Sequence, residues 1–338
     1  MHVVWSILGL SALIVIHELG HFWVARLFDM RVLRFSLGFG PPLLSIQRGE
    51  TQWQIAALPL GGFVQVDGMG LREDDVVSDE RNYRNKPAWQ RAAVVFAGPL
   101  INWLLAAGLV AALGVTAGVQ RTVDTATIGL VAEDSPAAAA GLEVGDRVLS
   151  VDGRSVADRV AFEQEILSHA EQEMTLVVDR NGQELTLTAT PKRAAQGGVL
   201  GIGWAMERVH YGPIESLGAG FRYAWDGSGR LVGLLWGMLV GTQSGELSGL
   251  PGIFNAVSTQ AKAGLDRLVQ TLAWLSVTLC VLNLAPFPAL DGGRLAFLAF
   301  EATRGRPAPE KLEATVNGVG MMLLLGLMLF LFVRDLVQ

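Results

Sequence analysis

"VIHELGHFW", residues 15–23, places His17, Glu18 and His21 inside one of the most apolar segments of the chain. Each of these groups costs free energy in apolar surroundings unless something compensates it, and a carboxylate at the centre of a bilayer costs about 2.5 kcal/mol or more. On a helix, positions four apart share a face, so His17 and His21 can turn two ring nitrogens toward one ion with Glu18 beside them. The stretch therefore reads as a His-Glu-x-x-His metal site carried on a membrane helix.

The composition agrees with that setting. Of 338 residues, 51% are hydrophobic and only 17% are charged, a balance that points to a membrane protein with a soluble insert. The net charge of −6 provides no basic footprint, so nucleic acid is not an expected partner. The lone cysteine, Cys280, lies in an apolar run and reads as packing, with no intrachain disulfide.

Four stretches have the length and apolarity of a crossing helix: about 3–25, with the motif near its end, then about 92–117, 268–290 and 314–333. The first has no small-residue cleavage site after a short apolar core, so it reads as a retained span rather than a signal peptide. A shorter apolar run, 231–241, suits an interfacial or bundle-packed helix over about 217–243. Basic residues concentrate in 26–91 and between the third and fourth spans, which places those segments in the cytoplasm and both termini outside. The domain plan is then an N-terminal membrane part to residue 121, a soluble domain at 122–193 outside the membrane, and a C-terminal membrane part from 194 to 338.

Two segments interrupt the spans. "FSLGFGPPLLSIQRGETQWQIAALPLGGFVQV", 35–66, alternates apolar and polar residues between Gly and Pro breaks and reads as β-hairpins dipping toward the membrane. Residues 122–193 read as a small α+β domain. Ser135-Pro136 opens a short Ala-rich helix, Asp158 precedes a longer one with Phe162 and Ile166 on one face, and Asn181-Gly182 turns a hairpin. The stretch "SPAAAAGLEVGDRVLSVDG" resembles the PDZ domain of bacterial proteases, a fold that adds a partner's C-terminal segment to a sheet edge.

Two histidines do not complete a catalytic zinc site, which takes three protein ligands and leaves a fourth position open. No further ligand follows the motif at short range. The best distant candidate is Asp291 in "NLAPFPALDGGR", 283–294, the lone acid at the end of the third span, preceded by Pro286 and Pro288 and followed by Gly292-Gly293. A capped helix end is the plainer reading of that segment. The apolar "LAFLAF" that follows favours a carboxylate still within the membrane, and the third of four spans delivers it to the same side as the His-Glu-x-x-His motif.

With HELGH in the first span, "GFGP" at 38–41, "LPLGG" at 58–62, "GPLIN" at 98–102, "SGLPGI" at 248–253 and "NLAPFPALDGGR", nearly the whole chain resembles the site-2 proteases. These are intramembrane zinc metalloproteases, and the likeness is to the bacterial regulator-of-sigma-E type. The resemblance implies one zinc ion held by His17, His21 and Asp291, with Glu18 as general base. It implies that Asn102 orients substrate or the oxyanion, against the alternative of a helix–helix hydrogen bond. Asn283, Pro286 and Pro288 would shape the unwound segment that presents Asp291, and the hairpins would hold the substrate as an added strand. Ile128, Gly129, Leu130 and Val131 match the PDZ peptide edge, with core packing of that strand as the alternative. Implied partners are single-pass membrane proteins such as anti-sigma factors and remnant signal peptides, peptide C-termini at the PDZ domain, and the bilayer of the bacterial inner membrane. Relatives of this type commonly carry two PDZ domains, and this chain has room for one.

The expected protein is thus a polytopic α-helical membrane zinc metalloprotease with one PDZ domain. Two other readings set it in relief. A non-enzymatic PDZ scaffold with a structural metal has no use for Glu18, and an ion carrier needs polar residues along a path that the second and fourth spans do not offer.

Overall fold

The structure, a computed structural model, describes residues 2–69, 79–194, 197–242 and 249–337. The chain divides into two compact units, one formed by 1–117 with 211–338 and the other by 118–210. Among the described residues, four helices of the first unit are long and apolar enough to cross a membrane: Val3–Leu27, Ala88–Thr116, Leu265–Leu284 and Lys311–Asp335.

The chain opens with α1 (His2–Leu27), apolar around most of its circumference, as a buried or lipid-facing helix must be. It ends where Asp29 takes a left-handed φ of 51° and the Met30 N–H returns to the Ala25 carbonyl. Two long strands follow, β1 (Val32–Arg48) and β2 (Thr51–Val66). Each bends, so that the pair makes a small folded sheet. Residues 42–48 pair with 51–56 across a tight turn, and 32–37 pair with 62–66. In between, 34–37 also lie opposite 52–55 with both numbers rising together, the parallel sense. The spatial order is therefore 42–48, 51–56, 32–37, 62–66, with the last segment on an edge. Gly38 and Gly40, at φ 87° and 92°, make the reversal in β1, where a side chain would be strained. Phe22 of α1 stands edge-on to Phe35 and Trp53, which anchors the sheet to the helix.

A single 3-10 turn at Tyr83–Asn85 leads into α2 (Ala88–Thr116). The second unit then begins with β3 (Val119–Thr122), β4 (Ile128–Val131) and a one-turn helix, α3 (Pro136–Ala139), capped by Ser135 through its hydroxyl to the Ala138 N–H. It continues with β5 (Arg147–Val151), β6 (Arg154–Ser155) and α4 (Arg159–Ser168), capped by Asp158. The hairpin of β7 (Met174–Arg180) and β8 (Gln183–Ala189) turns on Asn181 and Gly182, both at positive φ. Four short strands finish it: β9 (Lys192–Ala194), β10 (Gly197–Val199), β11 (Ile202–Trp204) and β12 (Met206–Val209). One four-stranded sheet, in the order β6-β5-β7-β8, and the pairs β11–β4 and β12–β3 surround a core of Phe162, Met174, Leu176 and Leu200.

The caps and hairpin expected from sequence are present, but the unit is wider than 122–193. Strands β11 and β12, from residues 202–209, pair back with β4 and β3, so the domain closes only near His210.

The first unit resumes with α5 (Pro213–Leu239), a 27-residue helix rather than a run starting near 217. Its buried face is small: Ser216, Gly220, Ala224 and Gly227. A Cβ on Gly220 would overlap the Ala107 carbonyl of α2, so this helix packs backbone to backbone against the second span. Then come α6 (Leu250–Ala263), α7 (Leu265–Leu284), α8 (Asp291–Arg304) and α9 (Glu310–Val337). The third span stops at Leu284, six residues short of the expected 290. Pro286 and Pro288 explain this: each lacks an N–H and disfavours helix in the residue before it, and Ala285 is accordingly extended at ψ 138°. Asp291 is therefore the first residue of α8 and not the end of the span.

Candidate metal centre

Two elements distant in sequence supply the three side chains of the site. From α1 come His17 and His21, both buried, whose Nε2 atoms lie 3.2 Å apart. From the start of α8 comes Asp291, whose Oδ2 lies 3.2 Å from His17 Nε2 and 3.4 Å from His21 Nε2. Among the described residues these three form a cluster able to hold a metal ion.

The triangle has the dimensions of one face of a tetrahedral zinc site: bonds of about 2.0–2.2 Å at the tetrahedral angle set ligand atoms about 3.4 Å apart. The surroundings turn the rings the same way. His21 Nδ1 is 2.8 Å from the Val94 carbonyl of α2, so it donates there and leaves its Nε2 lone pair free. Asn102 of α2 places its amide nitrogen 3.2 Å from His17 Nδ1 and leaves its buried Oδ1 without a partner, so a half-turn of the amide gives Nδ1 an acceptor; its backbone carbonyl accepts a hydrogen bond from Ser276 of α7. Asp291 Oδ2 is buried without a hydrogen-bond donor. An acceptor facing two ring nitrogens, with His21 already donating on its far side to Val94, fits a cation between them.

Backbone approach makes room for this geometry. A Cβ on Gly98 would overlap Nε2 of His21 and crowd His17 as well, so α2 lies flush against both rings. Gly292 and Gly293 face the carbonyls of Ala285 and Phe287, which lets the turn before α8 fold back on its first residues. Ala289 in that turn sits at φ 74°, and its N–H donates to the side-chain oxygen of Asn317 on α9 at 3.2 Å. Pro288 packs where Gly320 of α9 has no side chain.

Glu18 stands beside the triad, half-buried, with the Val64 backbone N–H directed at its carboxylate and Gly62 close to its side chain. Both belong to the edge segment 62–66 of the folded sheet.

The remaining sequence candidates separate. Asn283 donates its amide to the Leu279 carbonyl one turn back in α7, while Pro286 and Pro288 form the break before Asp291. Residues 128–131 are not an open edge along their length: β4 pairs with β11 on one side, and Ile128, fully buried, exchanges hydrogen bonds with Gly145 and Asp146 on the other. Leu130 alone of the four is exposed. The sequence reading missed Val94, Gly98, Asn317 and Gly320. Gly98 sat within the quoted "GPLIN"; the others had no local signal.

A His-Glu-x-x-His pair on a helix apolar enough to cross a membrane, with a remote aspartate near enough to share a metal ion with both rings, is the arrangement of a metalloprotease class. The family follows from comparison: residues 5–327 match the model of peptidase family M50, and the chain belongs to that family. Relatives named as zinc metalloproteases include one from Nostoc, 35% identical over 100% of this chain and 96% of its own length. Another, from Rhizobium meliloti, is 34% identical over 97% of this chain and 94% of its own, and one from Brucella suis is 32% identical over 97% and 93%. The protein is a multi-pass membrane zinc metalloprotease.

Proposed function

We propose that this protease cleaves single-pass transmembrane substrates at a site held by His17, His21 and Asp291, with Glu18 as general base. The observation that carries the reading is the convergence of those three ligand atoms, 3.2–3.4 Å apart, with a carboxylate one residue along the same helix.

Zinc, when bound, supplies a Lewis acid that acidifies water and polarises the scissile carbonyl. The chain's own groups do the rest. Glu18 takes a proton from the attacking water and returns it to the leaving amine. Val94, and Asn102 with its amide oxygen turned to His17 Nδ1, hold the imidazoles in the orientation that keeps both Nε2 lone pairs inward. A peptide bond within a helix has no free approach, so the substrate must unwind before it reacts. Segment 62–66 supports an extended binding mode: it pairs with 32–37 on one side, no described strand pairs with its other side, and it runs beside Glu18. Anti-sigma factors already trimmed outside the membrane, and remnant signal peptides, are the substrates this mode suits.

The unit 118–210 acts in this reading as a PDZ domain outside the inner membrane that binds peptide C-termini. With β4 occupied on both sides at Ile128, the strand available for a peptide to extend is β11, whose described neighbours leave one edge unpaired. Trp204 at its end is tied to α4 by an indole N–H to Glu163 at 2.8 Å.

Glu18→Gln in purified protein tests the assignment. Zinc content at the wild-type level with cleavage of a model transmembrane substrate reduced at least a thousandfold is the expected result. Unchanged cleavage would remove Glu18 from the mechanism.

A further inference from the structure

Away from the metal centre, a cavity of about 310 Å³ opens beside the 3-10 turn, the first turns of α2 and α9, and one face of α8. Three guanidinium groups line it: Arg84, Arg91 and Arg294. Opposing them are Glu301 and Glu313, but Glu301 is committed to Arg91 at 2.5 Å. Arg84 donates through Nε to the Gly68 carbonyl at 3.1 Å. Arg294 is half-buried, and among the described residues no hydrogen bond or ion pair engages its guanidinium. A partly desolvated cation that no carboxylate of the described residues, Glu313 of the same lining included, meets within ion-pairing distance is costly, and the cavity in front of it is where an anion would relieve that cost.

The place of the cavity identifies the anion's source. The spans Ala88–Thr116 and Lys311–Asp335 both start at its rim, so it lies at a membrane face. Exposed Trp89 packs on Phe28 beside it, Arg304 stands over the Phe300 ring, and Arg306 and Lys311 follow, the aromatic and basic girdle of a headgroup region. Phe297, Leu298 and Pro307 add an apolar wall that a glycerol backbone would contact.

We propose that this cavity binds the phosphate of an anionic glycerophospholipid, with Arg294 as the principal contact and Arg84 and Arg91 at its sides, joining the starts of α2 and α9 through α8. The site is independent of the protease assignment, because its readout is lipid and not cleavage.

The full-length protein is reconstituted in nanodiscs of phosphatidylcholine doped with phosphatidylglycerol, then transferred to detergent, and the co-retained lipid is measured by mass spectrometry. Phosphatidylglycerol should be enriched over phosphatidylcholine at about one molecule per chain, and Arg294→Gln should lower that enrichment about tenfold, the loss of one charge-assisted contact. Arg294→Lys should keep most of it. Excess inorganic phosphate should not displace the lipid; displacement would reassign the cavity to free phosphate. No preference for phosphatidylglycerol in the wild-type protein overturns the proposal whether or not the variants fold, and so does equal retention by wild type and a folded Arg294→Gln.

Discussion

The side-chain amide of Asn102, on α2, lies 3.2 Å from Nδ1 of His17, on α1. Metal coordination by His17 Nε2 requires the proton on Nδ1, and a proton there requires an acceptor, which Asn102 supplies when its oxygen faces the ring. Asn102 is fully buried, so no water replaces it. Asn102→Leu should weaken zinc affinity about 10–100-fold by chelator competition, whereas Asn102→Asp, which keeps the acceptor, should retain most of it. Equal affinity in Asn102→Leu would leave only the helix–helix contact with Ser276.

Gly98 sets how close α2 comes to the two rings. The Cβ of Gly98→Ala would overlap His21 Nε2, and either the ring or the helix must move. Zinc per chain, measured by elemental analysis, should fall below half, while circular dichroism stays near wild type because the displacement is local. Full zinc loading with a normal dissociation rate would show that the helices part at no cost.

Ala289 holds a left-handed φ of 74° in the turn that delivers Asp291, and Asn317 accepts its N–H. Such a conformation costs a non-glycine residue about 1 kcal/mol, so Ala289→Gly should leave zinc binding intact and raise thermal stability slightly. Asn317→Leu removes the acceptor and should increase the zinc dissociation rate several-fold. If Asn317→Leu releases zinc at the wild-type rate, the turn is held by its prolines and glycines alone.

In the unit 118–210, Asp146 is buried beneath Arg180, which donates to both of its carboxylate oxygens at 2.7 and 2.8 Å. Burial works to raise the carboxyl, but the hydrogen bonds from Arg180 and from the Glu143 N–H outweigh it and hold Asp146 below its ordinary 3.8. A lowered folded-state value means the stabilisation is present above pH 3.8 and is lost as pH falls through the depressed value. The protection factors of the β5 and β7 amides, measured by hydrogen exchange in the full chain relative to intrinsic rates at each pH, should therefore fall from about pH 4 downward. Asp146→Asn should cost about 2 kcal/mol at neutral pH and flatten the acid dependence. An unchanged acid profile in that variant would assign it to other carboxylates.

Much of this protein is local in origin and so could be read in one dimension. The pairing of His17 with His21 depends only on helical periodicity, and the four spans only on the length of apolar runs. Ser135, Asp158 and Asn181-Gly182 act on their own neighbours within a few residues, and each does in the structure what its chemistry implies. Asp291 stands out as a candidate from its own surroundings, a lone acid between two prolines and two glycines with an apolar run after it, although a helix cap is the plainer reading of that segment.

Its place beside the histidines, 270 residues from them, was decided by packing: the proline break after Leu284, the hold of Asn317 on Ala289, and the glycines that let backbones meet. The same is true where a strand's partner lies far along the chain. The doubling of 34–37 against 52–55, the closure of the unit 118–210 by β11 and β12, and the pairing of 128–131 with β11 and, at Ile128, with Gly145 and Asp146 all follow from hydrogen bonds between distant segments. Periodicity states which face of an element is apolar; which other element covers it is a property of the folded chain.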